Sequence, residues 1–286
     1  MLNLQNNSSY ENLHILKQYL KNISPNEIFE FQISDPNYKD LVDIAQIYYC
    51  KMLTPKIIDN NTVIIRFQKL NTNNSFHIDK DDEEKYGINS NFATIDKNSY
   101  ISFLYYYTQA LNIAKSNIRE TILNLGVNSG DEFQVFKQHS KNFTNQKLLG
   151  IDYCPSAIKK AKDDFQDKNI EFLQADIKNL DNLNIGKFDL VITIGTLQSS
   201  NLNFNLIFQD IVQKYLNKQC AIIIGFPNCR WIDSQMIYGA KIKNYNFPES
   251  SLLFKDVIFC KKYLQQKKFK VTITGKDYIF LTATRT

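Results

Sequence analysis

The sequence predicts an α/β chain: a mostly parallel sheet flanked by helices, a C-terminal antiparallel hairpin, and an N-terminal α+β segment before them. Three observations lead there. From about residue 98, short apolar runs alternate with helical segments, the rhythm of right-handed βαβ units. Those runs are continuously apolar, as strands covered on both faces are. The closing stretch FKVTITGKDYIFLTATRT holds two strands joined at Gly275-Lys276. Strands joined so tightly pair antiparallel, because parallel neighbours need a long crossover. The expected division is an accessory segment over 1–97 and a domain over 98–286.

The first segment is polar and Asn-rich. ENLHILKQYLKNI (11–23) sets Leu13, Leu16, Leu20 and Ile23 near one face, which predicts an amphipathic helix. YKDLVDIAQIYYCKML (38–53) predicts a second helix, and the β-branched NTVIIRFQKL (61–70) a strand. DKDDEEK (79–85) reads as an exposed acidic loop. YISFLYYYTQALNIAKSN (100–117) predicts a helix on which Tyr105, Tyr106 and Tyr107 point three ways. Strands follow at 121–126, 147–152, 170–175, 187–195 and 220–226, with helices near 131–142, 155–165 and 203–216 between them. A last helix at about 252–267 precedes the hairpin.

Composition narrows the function classes. The chain has 286 residues, 43% hydrophobic and 22% charged, ordinary for a globular protein of about two domains. No apolar run is long enough for a transmembrane helix, so no membrane partner is expected. The start MLNLQNNSSYENL lacks a basic n-region and an apolar h-region, so no secretion signal is expected. Five cysteines form no CxxC pair, and the three histidines are scattered, which argues against a disulfide framework and a metal site. A reducing cytoplasm fits. Net charge is +5, and only Arg66, Arg119, Arg230 and Arg285 can make the bidentate base contacts of nucleic-acid readers. The basic run KKYLQQKKFK (261–270) reads as a solvated helix face.

The candidate site starts at ILNLGVNSGDEF (122–133), a strand entering a glycine turn. In an open α/β sheet the ligand sits beyond the carboxyl ends of the strands. A pyrophosphate cradle wants G-x-G-x-x-G. Here Gly126 and Gly130 remain, Asn128 stands between them, and Asp131 puts a carboxylate at the helix mouth. That charge disfavours an anion and suits a cation. The ligand that fits is a phosphate-free, positively charged nucleoside, as S-adenosylmethionine is. Asp152 ends the second strand, where an acid can accept from both ribose hydroxyls. Asp176 ends the third, within reach of an adenine amino group. The same glycines can also serve only a tight turn, and Asp152 only a helix start.

ILNLGVNSG, GIDYCPSAIKKAK, FLQADI and FDLVITIGTLQSS, in this order and followed by the hairpin, resemble the successive motifs of class I S-adenosylmethionine-dependent methyltransferases. The likeness covers about residues 98–286. It implies a Rossmann-like seven-stranded sheet with S-adenosylmethionine as cofactor over the first two strands. It implies that Gly126 and Gly130 wrap the methionine part, that Asp152 binds the ribose with Tyr153 flanking the adenine, and that Asp176 and Ile177 meet the ring. Gly195, Thr196 and Leu197 would line the sulfonium and the acceptor entrance. The chain departs from the family at Asn124, where an acid usually helps hold the methionine ammonium, at Asn128 for a glycine, and at Gln198 for a frequent histidine. Asp131 is the candidate replacement for the missing charge.

GFPNCRWID (225–233) follows the fifth strand. Asn228, Arg230 and Trp231 are candidate acceptor contacts there: Arg230 can clamp a carboxylate or phosphate and Trp231 can stack. The other reading makes Trp231 a core anchor and Arg230 a surface ion pair. Cys229 has no histidine partner and reads as inert. No residue is assigned as a general base. The expected function is methyl transfer by in-line displacement, a small-molecule acceptor favoured, with the first 95 or so residues covering the cleft. RNA or protein acceptors are the alternative, and Asn124 and Asn128 motivate a non-catalytic binding protein. A nicotinamide oxidoreductase ranks last because the phosphate cradle is missing.

Overall fold

The computed structural model describes residues 1–34, 38–74, 84, 86–199, 201–239 and 253–285. The chain divides into two units. One is Met1–Ile78 with Arg230–Tyr238; the other is Asp79–Cys229 with Gly239–Thr286. The boundary expected at 97/98 falls inside the second unit.

The first unit opens with β1 (Leu2–Asn3) and α1 (Ser9–Asn22). A capping box starts α1: the Ser8 hydroxyl accepts from Glu11 N, and the Glu11 carboxylate accepts from Ser8 N. Its Leu16 and Leu20 are buried. Then come β2 (Ile28–Ser34), α2 (Leu41–Ile47), β3 (Cys50–Met52), β4 (Lys56–Asp59) and β5 (Thr62–Lys69). The sheet order is β1-β2-β5-β3, with β4 also paired to β5. Phe31, Ile65 and Phe67 are fully buried on it. The helix expected over 38–53 is therefore shorter. Tyr49 turns into the left-handed region at φ 55, and Cys50–Met52 pairs antiparallel with Lys69–Phe67. Ladder bonds to β5 satisfy backbone groups that a longer helix would have satisfied internally.

The second unit holds α3 (Ile101–Ile113), β6 (Thr121–Leu125), α4 (Asp131–His139), β7 (Lys147–Asp152), α5 (Pro155–Asp164), β8 (Ile170–Gln174), β9 (Phe188–Ile194), α6 (Phe204–Lys214) and β10 (Leu216–Pro227). The chain then forms the hairpin β11 (Cys229–Ile232) and β12 (Gln235–Tyr238), most of which belongs to the first unit. Its turn residues Asp233 and Ser234 both have positive φ, the geometry of a tight hairpin. Ile232 and Ile237 are buried with Leu70. The second unit resumes and ends with α7 (Ile258–Gln266), β13 (Lys270–Gly275) and β14 (Tyr278–Arg285). The acidic run at 79–85 lies outside the described residues except for Glu84.

The seven-stranded sheet has the order β13-β14-β10-β9-β6-β7-β8. β8, β7, β6, β9 and β10 run parallel; β14 runs antiparallel to β10 and to β13. This is the mostly parallel sheet with a reversed terminal hairpin that the sequence predicts. Successive strand residues feed opposite cores. Leu123, Val191 and Ile222 pack with Phe208 and Leu264 on one face. Ile122, Leu190 and Ile223 pack with Leu111, Phe133 and Ile158 on the other. Burial on both faces is why the strands are apolar throughout. From β6 the chain builds outward to β8, then returns to β9 on the other side of β6, so the order reverses at β6/β9. Ligands of open α/β sheets bind at such a switch point.

Candidate functional site

The turn after β6 is a knot of backbone bonds. Gly126 N and Val127 N both donate to Ile151 O on β7, at 2.8 and 3.1 Å. Gly126 has φ +73, and a Cβ there would collide with the Thr196 side chain. Thr196 is itself anchored, its hydroxyl donating to Leu125 O at 3.1 Å. Asn128 adopts φ 47, the left-handed conformation that asparagine tolerates better than most residues. It thus does the work of the glycine it replaces, and its side chain bonds as well. Oδ1 accepts from Ser129 N at 2.8 Å, and Nδ2 donates to Tyr86 O at 2.9 Å.

Asp152, at the end of β7, accepts from Asn128 N at 2.8 Å on one oxygen and from Cys154 N at 2.9 Å on the other. Burial pushes its carboxyl above the ordinary range, and the N–H groups of Cys154, Asn128 and Tyr153 offset this only in part. Tyr153 is exposed beside it. Asp176, after β8, caps the 3-10 turn Ile177–Leu183 by accepting from Lys178 N at 2.9 Å, and Ile177 is buried. After β9, Gly195 has φ +75 and Leu197 is buried. Next to it both amide atoms of Gln198 are hidden from solvent and have no hydrogen-bond partner among the described residues.

Asn124 is fully buried on β6, and its Nδ2 donates to a carboxylate oxygen of Glu132 at 3.3 Å. The other Glu132 oxygen meets Lys97 Nζ at 2.6 Å. Asp131, the expected replacement for the missing acid, lies 3.9 Å from the same Nζ and accepts from the Ser129 hydroxyl. Burial pushes the Glu132 carboxyl up, against the pull of Lys97. Burial alone would lower Lys97, but Glu132 and Asp131 more than offset it and hold its proton. The acid in touch with Asn124 is thus Glu132, which sequence reasoning missed. A signal was there: Glu132 lies on the face of α4 that buries Phe133, Val135 and Phe136, an odd place for an unpaired acid.

A second unforeseen group joins the two loops. The Glu84 carboxylate accepts from Ser156 N and the Ser156 hydroxyl at the start of α5, and Ile88 N donates to the same hydroxyl. With the Tyr86–Asn128 bond, Glu84, Tyr86 and Ile88 tie the turn after β6 to the entrance of α5.

The candidate acceptor contacts divide. Asn228 stays with the second unit: its N donates to Asp277 O at 2.7 Å and its Nδ2 to Lys276 O at 3.2 Å. Arg230 and Trp231 belong to the first unit. There Arg230 Nη1 donates to the Tyr49 hydroxyl at 3.2 Å, with its guanidinium 5.3 Å from the Tyr49 ring centre, and Trp231 is buried. All five cysteines are free and buried; burial raises the Cys229 thiol, which keeps it protonated and unreactive. Among the described residues no group of His, Cys, Asp and Glu could hold a metal ion, and no helix is long and apolar enough to cross a membrane.

A reversed-hairpin α/β sheet with carboxylates at the ends of successive strands defines a class, the Rossmann-like methyltransferases. The family model for a methyltransferase domain matches residues 118–273, and the chain belongs to that family. It is an S-adenosylmethionine-dependent methyltransferase, with S-adenosylmethionine as its cofactor. No curated protein matches the chain. Solved structures resemble it at low identity. The N-methyltransferase NodS from Bradyrhizobium japonicum WM9, in complex with S-adenosyl-L-homocysteine, is 16% identical over 66% of this chain and 89% of that one, with a TM-score of 0.45. An O-methyltransferase family protein from Burkholderia thailandensis is 13% identical over 72% and 65%, with a TM-score of 0.45.

Proposed function

We propose that the chain methylates a small-molecule acceptor, with the cofactor held beyond β6, β7 and β8 and the acceptor beside the loop after β9. The fit to S-adenosylmethionine rests on one feature: the buried Asn124 Oδ1, at the end of β6, has no donor among the described residues. The cofactor, when bound, supplies a methyl group on a sulfonium, an already good leaving group.

The residues then divide the work. Asn124, Gly126, Asn128, Gly130 and Asp131 hold the methionyl part. Asp152 keeps its carboxylate fixed through the Asn128 and Cys154 N–H groups, and the lone pairs left on each oxygen accept from the ribose hydroxyls. Tyr153 and Ile177 flank the adenine and Asp176 accepts from it. Gly195, Thr196 and Leu197 shape the passage in which acceptor, methyl and sulfur align; such alignment accounts for much of the rate. Gln198 and Asn228, both in the second unit, are the proposed acceptor contacts. Gln198 does not ionise, so it orients the acceptor and does not deprotonate it.

One observation supports a small acceptor over RNA or protein: the Gln198 amide is hidden from solvent with both polar atoms unpaired among the described residues. Leaving such groups unmade costs about 1–3 kcal/mol. An amide so enclosed opens by a local side-chain movement to a compact molecule, and not to the surface of a folded macromolecule. Incubation with methyl-labelled cofactor and cell extract, fractionated into small molecules, RNA and protein, tests this. Label in the small-molecule fraction is expected. Label in RNA or protein overturns the acceptor class, and no label in any fraction favours a binding protein without turnover.

A further inference from the structure

We propose that Lys97 binds the carboxylate at the amino-acid end of the cofactor, while Glu132 and its neighbours take the ammonium. This rests on the cofactor reading above and names two residues outside the family's motifs. Lys97 precedes α3, in the 3-10 turn Lys97–Ser99, and Asn98 ties that turn to the site through a 3.1 Å bond to Asp131 O. The Lys97 side chain is 16% exposed. Asp131 and Glu132 face it, and Asp152 lies close enough to raise its proton affinity. Its ammonium makes one hydrogen bond among the described residues, to Glu132, and two N–H groups remain.

The surroundings are short of donors. Besides the three carboxylates, Asn124 Oδ1 and Asn98 Oδ1 are buried without a partner among the described residues. Buried carbonyl oxygens are rarely left so. One cation among many acceptors is the complement of an α-amino acid. The ligand's ammonium brings three donors to the oxygens, and its carboxylate finds the Lys97 ammonium. Glu132, bonded to Asn124, then supplies the charge that Asn124 lacks. A purely structural ion pair explains Glu132 but leaves the two amide oxygens without donors.

Titration calorimetry with three ligands tests the assignment. S-Adenosylmethionine has both charged groups, its decarboxylated form has only the ammonium, and 5′-methylthioadenosine has neither. Lys97→Met is expected to weaken S-adenosylmethionine about tenfold or more, as loss of a charge-assisted bond does, and to leave the decarboxylated form within about twofold. Lys97→Met with Glu132→Gln removes both charges, so no unpaired buried ion threatens folding. That variant is expected to bind 5′-methylthioadenosine as the wild type does and to lose further affinity for S-adenosylmethionine. Equal losses for all three ligands, or none for S-adenosylmethionine, overturn the role of Lys97 and leave the cofactor reading standing. A wild type that binds 5′-methylthioadenosine but not S-adenosylmethionine overturns both.

Discussion

The turn after β6 and the loop after β9 stand at the same end of one sheet, yet they treat their polar groups differently. Around Asn128 and Asp152 polar groups meet partners inside the protein: backbone N–H groups to the Asp152 carboxylate, the Asn128 amide to Tyr86 and Ser129. In the loop after β9 the Gln198 amide meets none among the described residues. A site with satisfied hydrogen bonds is organised before its ligand arrives and loses little entropy on binding. A site with unmet bonds pays for them in the free state and recovers them only with a ligand. The ribose end of the cofactor seat, around Asn128 and Asp152, thus stands organised, whereas the Gln198 amide, like Asn124 Oδ1 at the methionyl end, is left for a ligand to meet.

Four substitutions can break or sharpen that contrast. Gly126→Ala should have the largest effect, because it combines a left-handed φ with a collision against Thr196. A loss of about 2–4 kcal/mol in urea unfolding is expected; a loss under about 0.5 kcal/mol would show a pliable turn. Asp152→Ala should weaken the cofactor by about 1–3 kcal/mol in calorimetry. Because burial raises Asp152 above its ordinary 3.8, wild-type cofactor affinity should fall as pH drops through that raised value. The stability contribution runs oppositely: a raised folded pKa stabilises below the unfolded pKa, and this is lost as pH rises through the folded one. The alanine variant should flatten both profiles.

Gln198→Leu should separate stability from function. Replacing an amide with no partner by an apolar group of similar size should leave stability unchanged or raise it by up to about 1 kcal/mol. Turnover should fall while cofactor affinity holds. A destabilised variant would mean that the amide has a partner in the free protein. The smallest effect belongs to Asn128→Gly, which relieves a left-handed asparagine but loses the bond to Tyr86 O. Stability should stay within about 0.5 kcal/mol by thermal melting.

The sheet was legible because its strands are apolar on both faces: Ile122, Leu123, Val191 and Ile222 announce themselves without periodicity. The terminal hairpin was legible from Gly275. The first unit was harder. Cys50–Met52 continues an apolar run begun in α2, and only pairing with β5, a tertiary event, makes it a strand. Strand β2 stayed unread in a polar, Asn-rich stretch. In the site, Asp152 and Asp176 follow strand ends and could be seen from order alone. Glu132 and Lys97 could not be paired in sequence, because their meeting depends on α4 and the turn before α3 reaching the same strand end. Nor could the assignment of Arg230 and Trp231 to the first unit be read, since nothing in GFPNCRWID says that the chain changes unit there.

That change of unit bears on the order of synthesis. Leu70 and Tyr49 emerge from the ribosome long before Ile232 and Ile237, the residues that complete their cluster. The N-terminal unit cannot close its last apolar contact until most of the other unit has been translated. A nascent chain stalled before residue 230 would leave that patch uncovered, a natural target for chaperones and proteases.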